Sequence, residues 1–381
     1  MMHFVHPACP RARNVQNPNR LIRHAHIAVL TAGKTSLKRK ILNRKMTVAL
    51  DAMGGDRGPS VLVEGAVRAA RESGVAVTLI GKQDILEDLL EQHGAAALPI
   101  GIQAATEVVE MHDSPADSLR RKRDSSIRVA FELAKRHRAE AVVSAGNSGA
   151  TLATAMISLG RLKGVRPAIA TVMPTLKNPA VMIDVGANVD CRPHHLLQFG
   201  IMGSVFAREL LEYDNPKVGL LSIGEEGSKG NLQVKRAHDL LAKSDLDFVG
   251  NVEGRDVFKG DVDVVVCDGF VGNICLKLSE GLAETILRML KTELDGNIMA
   301  SMGYTLAKSA FRKFAKKIDY AEYGGAPLLG INGIAIICHG SSGPKAVGNA
   351  IRMAHELARV GLAEKLAGSI SKRRDLISVA N

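Results

Sequence analysis

The sequence predicts a doubly wound α/β fold built on a largely parallel sheet. Two observations lead there. A unit of short apolar strand, Gly- and Asn-rich loop and amphipathic helix recurs along the chain, and the strands lack the polar alternation of a half-exposed sheet. Strands without that alternation are buried on both faces, so helices must cover both sides. In such sheets ligands bind beyond the carboxyl ends of the strands, and the polar loops are expected to gather at that one edge.

The elements follow in order. Residues 1–45 hold ten Lys or Arg and no acid, and Pro7, Pro10 and Pro18 interrupt them. A buried-strand pattern begins abruptly at Met46 with Thr47–Asp51. Met46 is therefore expected to be the true initiator; an organelle-targeting presequence and a functional basic arm are the alternatives. Further strand–loop pairs are 140–144 with Ala145-Gly146-Asn147-Ser148-Gly149, and 181–185 with Gly186-Ala187-Asn188-Val189-Asp190. Others are 218–222 before Gly224-Glu225-Glu226, 262–267 before Asp268-Gly269-Phe270, and 334–338 before His339-Gly340-Ser341-Ser342. Asp190 ahead of Pro193 and Ser342 ahead of Pro344 read as N-caps. Residues 282–319 read as an inserted helical hairpin. Its apolar stripes are Leu282, Ile286, Leu290 and Leu294, and Leu306, Ala310, Phe311, Phe314 and Ile318. Ile298, Met299, Met302 and Tyr304 stand where a polar turn is expected, and Lys308, Arg312, Lys313, Lys316 and Lys317 crowd the second helix.

Composition narrows the function. The 381 residues are 46% hydrophobic and 23% charged, which is globular composition, and no apolar run is long enough to span a bilayer. The net charge of +11 lies mostly in the first 45 residues. Removing their ten cations from 50 leaves 40 basic residues against 39 acidic ones. The body is nearly neutral, which argues against nucleic acid as a partner. The five cysteines are scattered without metal-type spacing, so free thiols and no metal are expected.

A glycine-rich loop entering a helix directs backbone N–H groups at an anion. The loops with Asn147, Ser148 and Gly149 and with Ser341 suit that task, or simply satisfy tight turns. Lys177, just before a buried strand, is either a fixed charge for phosphate or an oxyanion, or a solvated turn lysine. Asp184 lies inside an apolar strand and needs a partner. With Asn188 it could position a nucleophile, hold an ion or cap a helix. His194 and His195 read as exposed histidines at a helix start. His339, closing an apolar strand, is the better proton donor or a structural histidine. No Ser–His–Asp order or nucleophile elbow occurs, so no covalent nucleophile is expected.

Six segments in register resemble the phosphate acyltransferases of phospholipid synthesis, the PlsX family. They are Asp51-Ala52-Met53-Gly54-Gly55-Asp56, 144–150, 183–188, 224–231 ending at Asn231, 267–273 with Asp268 and Asn273, and 323–330 followed by His339–Ser342. The likeness runs from Met46 to about residue 368, leaving a tail at 369–381. It implies a fold similar to phosphate acetyltransferases and the isocitrate dehydrogenase group. It also implies transfer of a fatty acyl group from acyl carrier protein to inorganic phosphate, without cofactor. The implied setting is a homodimer in the cytoplasm, peripheral to the membrane, supplying a glycerol-3-phosphate acyltransferase. No catalytic residue carries over. Lys177, Asn188, Asp184 and His339 are the candidates for chemistry. Asp51, Gly54, Gly55, Asn147, Ser148, Gly149, Asn231, Asp268, Asn273 and Ser341 are candidates for phosphate or acyl-donor binding. Ile298, Met299, Met302, Lys313 and Lys316 are expected to meet the membrane. A short-chain phosphate acetyltransferase using coenzyme A is the alternative enzyme, and a non-catalytic lipid- or carrier-binding module the alternative class. A nicotinamide-dependent dehydrogenase shares the fold, but its fingerprint is absent.

Overall fold

The computed structural model describes residues 46–295 and 298–373. Strand β1 (Thr47–Asp51) leads through α1 (Pro59–Ser73) to β2 (Ala76–Gly81), and α2 (Gln83–Gln92) leads to β3 (Ile100–Ala104). Two short helices, α3 (Pro115–Arg121) and α4 (Ser126–Lys135), precede β4 (Ala141–Ser144), which runs into α5 (Ser148–Ser158). β5 (Ala168–Met173) and β6 (Ala180–Ile183) pair antiparallel before α6 (Pro193–Leu211). β7 (Lys217–Leu221), α7 (Leu232–Ala242), β8 (Asp247–Val252) and β9 (Val264–Val266) follow. The long α8 (Gly269–Asp295) runs out and α9 (Ile298–Ile318) returns. β10 (Ala326–Leu329), β11 (Ile334–Ile337), α10 (Pro344–Arg359) and α11 (Leu362–Lys372) complete the described chain.

Among the described residues the strands form one sheet in the order β3-β2-β1-β4-β11-β10-β5-β6-β9-β7-β8. Burial on both faces is visible residue by residue. Val48, Leu50, Val181, Ile183, Ile334 and Ile336 face one core, while Ala49, Met182 and Ala335 face the other. Helices α1, α6, α7, α10 and α11 cover the first face, and α4 and α5 the second. Phe199 and Phe206 on α6 are fully buried, each worth about 2–3 kcal/mol of apolar transfer.

The sheet is parallel within each half and reverses in the middle. β3, β2, β1, β4 and β11 run one way; β6, β9, β7 and β8 run the other. The reversal comes from three antiparallel pairs, β11–β10, β10–β5 and β5–β6. The expectation that all polar loops share one edge is therefore overturned. The loops after β1, β4 and β11 lie at one edge, and those after β6, β9 and β7 at the opposite edge. Asp51 and Asp184 also sit five strands apart, about 24 Å along the sheet.

Both expected N-caps move. Pro193 and Pro344 each occupy the first helical position, which makes Arg192 and Gly343 the caps in place of Asp190 and Ser342. The helical hairpin is present but begins earlier, at Gly269. Its second helix already includes Met299 and Tyr304, so these residues are helical and not part of a turn. The side chains of Ile298 and Met302 lie outside the described residues.

Candidate functional site

At the edge formed by β6 and β9, a buried carboxylate organises the loop. Asp184 accepts from the backbone N–H groups of Ile169, Gly186 and Ala187 through Oδ1, at 3.0, 3.1 and 3.0 Å. Its Oδ2 accepts from Asn188 N and Asn188 Nδ2 at 2.8 and 2.7 Å. Burial pushes the Asp184 carboxyl up, against the pull of these donors. Five donors fill the lone-pair sites of a carboxylate, so Asp184 has no capacity left for proton transfer. The Asp184 expected to take part in catalysis is thus bound within its own loop.

Asn188 is equally occupied. Its Nδ2 also donates to Pro167 O at 2.7 Å, and its Oδ1 accepts from Arg166 Nε. The amide therefore orients a guanidinium, and its direct contact with substrate is not available through Nδ2. Arg166 and Arg161, neither of which the sequence reading singled out, line a cavity of about 90 Å³ with Leu152, Met156, Pro167, Ala187 and Asn188. A guanidinium held by Asn188, with a second arginine lining the same cavity, suits a dianion, because guanidinium groups can offer parallel N–H donors to phosphate oxygens.

The helix that follows β9 seals this loop from behind. Asp268 caps α8 by accepting from Val271 N at 2.8 Å. Gly272 lies so close that a Cβ there would fall 1.9 Å from Asp184 O. Exposed Asn273 stands beside Gly186. His194 is buried and His195 half-buried, so neither is the exposed histidine expected; the His195 ring is held at the helix start, where its Nδ1 accepts from Arg192 N at 3.1 Å. Burial, then the positive charges of His194, Arg166 and Arg192, push His195 down to about 4. The nearby thiols are poor nucleophiles. Burial pushes Cys191 up to about 12, and Cys267 well above the ordinary thiol range.

The remaining candidates lie elsewhere. Lys177 sits at the other end of β6, on an exposed turn, in an ion pair with Asp261. Seven residues separate it from Asp184, about 20 Å along the chain direction, so Lys177 and Asn188 do not meet. The lysine expected to take part in catalysis thus stands on an exposed turn, paired with Asp261. Asn231 caps α7 through Val234 N at 2.9 Å.

At the opposite edge Asp51 is buried and accepts from Ser144 Oγ at 2.8 Å, and burial raises its carboxyl. Gly54 permits the close approach of two loops, since a Cβ there would lie 2.7 Å from Gly146 N. Gly55 adjoins Gly340 O. Asn147 caps α5 by accepting from Ala150 N and donates to Met111 O and Asp113 O, which occupies both of its N–H donors. Ser148 and Gly149 are exposed beyond it. His339 is exposed, and its Nδ1 accepts from Ser341 N at 3.2 Å, so the neutral ring carries its proton on Nε2. His339 and Ser341 are thus paired with each other, at the edge away from Arg166. Among the described residues no three His, Cys, Asp or Glu side chains gather closely enough to hold a metal ion.

The model of a family described as "Fatty acid synthesis protein" matches residues 46–365. A phosphate acyltransferase of Geobacter sulfurreducens is 57% identical over 84% of this chain and 93% of its own. One from Geotalea daltonii is 55% identical over 87% of this chain and 96% of its own. Among solved structures, the EutD phosphotransacetylase from Staphylococcus aureus superposes with a TM-score of 0.53 at 17% identity, over 84% of this chain and 97% of its own. That likeness concerns the fold.

Proposed function

This chain belongs to the phosphate acyltransferase family, and from that premise we propose that its chemistry takes place at the Arg161–Arg166 cavity. The enzyme is an acyltransferase that moves a fatty acyl group from acyl carrier protein to phosphate for phospholipid synthesis. The observation that supports the placement is the relay from Asp184 through Asn188 to Arg166, which ends at an open cavity. Asp184 fixes the loop, Asn188 fixes the guanidinium, and Arg166 with Arg161 receives the phosphate.

The chemistry follows from these parts. A phosphate oxygen attacks the thioester carbonyl, the tetrahedral oxyanion forms, and the carrier thiolate leaves. The arginines neutralise the dianion and hold one oxygen toward the carbonyl, which converts an encounter into a positioned attack. The thiolate is a good leaving group, so no strong general acid is required. Protonated, buried thiols and the lack of a nucleophile elbow favour direct attack over an acyl-enzyme.

The test is to incubate the protein with palmitoyl-carrier protein and radiolabelled phosphate and to follow acyl phosphate. Arg166→Ala should lower kcat/KM for phosphate about a hundredfold, some 3 kcal/mol, without loss of fold. Lys177→Ala should leave it unchanged. A folded Arg166→Ala enzyme with native kinetics would move the chemistry away from this cavity.

The setting is part of the same reading. Phe270, Ile274, Leu278, Leu282, Ile286 and Met289 form one exposed stripe on α8, which a second copy of the chain would cover in a homodimer. The hairpin of α8 and α9 carries Met299, Lys313 and Lys316 on exposed positions, which suits peripheral contact with an anionic membrane from the cytoplasm. No helix among the described residues is long and apolar enough to cross a membrane. An acyl phosphate delivered there would be consumed by a membrane glycerol-3-phosphate acyltransferase.

A further inference from the structure

Helix α3 ends in Arg120 and Arg121, and Lys122 and Arg123 follow it. Lys122 is turned inward, where its Nζ donates to Val108 O at 2.7 Å and to Asp113 at 2.6 Å. Arg128 Nη1 donates to Leu119 O at 2.9 Å, and Ser125 Oγ to Lys122 O at 2.9 Å. These bonds anchor the end of α3 and leave Arg120, Arg121 and Arg123 exposed. Two of the nearby acids are already engaged. Asp113 holds Lys122 and accepts from Glu110 N, and Asp124 accepts from Thr106 N and Oγ1. Only Asp117, in the first turn of α3, remains on that helix as an exposed acid. Three cations held together on a fixed base repel one another, and an acidic partner relieves that repulsion.

The patch is tied to α5. The ring of Pro115, at the start of α3, would lie 2.9 Å from a Cβ on Gly149, and Asn147 binds Met111 O and Asp113 O. Helix α5 contains no charged residue, yet one of its faces is open. Ser148 and Gly149 begin that face, Leu152 and Ala153 continue it, and Met156 and Ile157 end it, with Ile157 66% exposed. Leu152 and Met156 are also walls of the arginine cavity. The uncharged face therefore runs from the start of α3, the helix that carries the basic patch, to the cavity, over about 16 Å of helix. A pantetheine arm has thirteen bonds between sulfur and phosphorus and spans about 16 Å when extended like a peptide chain.

We propose that an acidic acyl carrier protein docks on Arg120, Arg121 and Arg123 and lays its acyl-bearing arm along the uncharged face of α5. The thioester then reaches Arg166 while the carrier remains at the opposite edge of the sheet. This rests on placing the chemistry at the Arg166 cavity, and it leaves Lys313 and Lys316 to the membrane.

The experiment compares two donors, palmitoyl-carrier protein and palmitoyl-pantetheine, which has the arm without the protein. In the triple variant Arg120→Glu, Arg121→Glu, Arg123→Glu, KM for the carrier donor should rise about tenfold or more with kcat unchanged. Its kcat/KM for palmitoyl-pantetheine should match that of the native enzyme. Added salt should weaken the carrier reaction of the native enzyme and strengthen that of the variant, whose reversed patch repels the carrier. Ile157→Asp should impair both donors, and melting curves check that each variant folds. An unchanged KM for the carrier donor overturns the proposal, as does an equal loss with both donors in the triple variant. A KM effect that appears instead in Lys313→Glu, Lys316→Glu would place docking on the hairpin. If Arg166→Ala keeps native kinetics while the triple variant loses the carrier donor, docking stands and the cavity assignment fails.

Discussion

At the scale of single residues, the site depends on groups that hold others in place. Asp184 and Asn188 stood out in the sequence because a polar side chain closing an apolar strand must find partners. Their roles were not legible, since only the fold brings Ile169, Pro167 and Arg166 against them. Arg166 gave no signal at all, because an arginine before a strand is ordinarily a surface residue. Lys177 precedes β6, at the end of that strand away from the Asp184 loop, a separation that the sequence alone does not display. His195 offers a test of the local field. The unfolded ring titrates near 6.5 and the folded ring near 4. Between these values the unfolded chain binds a proton that the folded chain does not, so stability falls as pH drops through that window. The loss should be about 1–2 kcal/mol after allowing for solvent screening of a half-buried ring. Melting curves at about pH 7 and about pH 4.5 should show a larger drop for the native protein than for His195→Gln. Equal drops in the two proteins would show that the ring feels no such field.

At the scale of elements, the hairpin shows what periodicity reveals and what it hides. Its apolar stripes at every third or fourth position were plain, because a helix keeps such residues on one face. The true start of α8 was hidden. Gly269, Gly272 and Asn273 look like a loop motif, yet Gly272 is there so that the helix can rest against Asp184 O. The open stripes bear on the membrane proposal. Leu306 is 90% exposed and Met299 76% exposed, so packing of α8 on α9 leaves much apolar surface uncovered. Replacing Ile298 and Met299 with Asp should abolish sedimentation with anionic vesicles and spare soluble acyl transfer. Undiminished sedimentation would leave the hairpin as a structural or dimer element.

At the scale of the whole molecule, the layered α/β class was legible, but strand direction was not. A fully buried strand is an apolar run whichever way it points, so nothing in the runs at 181–185 or 334–338 announced that they oppose each other. The split of the loops between two edges follows from that single omission. The family model begins at residue 46, where the strand pattern also begins. A chain starting at Met46 should therefore keep the melting temperature and the turnover of the 381-residue protein. A fall in either on truncation would give the basic arm a part in the working enzyme.

The antiparallel centre also governs how the protein can be made. β10 and β11 are the last strands in the chain, yet they lie between β4 and β5 in the middle of the sheet. During synthesis β4 and β5 are complete more than 150 residues before their inner neighbours emerge. For all that time each presents an open edge to any other nascent chain. Closure depends on contacts between distant parts of the sequence, which makes folding slow and leaves interrupted chains prone to aggregate. A ribosome that stalls before residue 326 releases two half-sheets with nothing to join them.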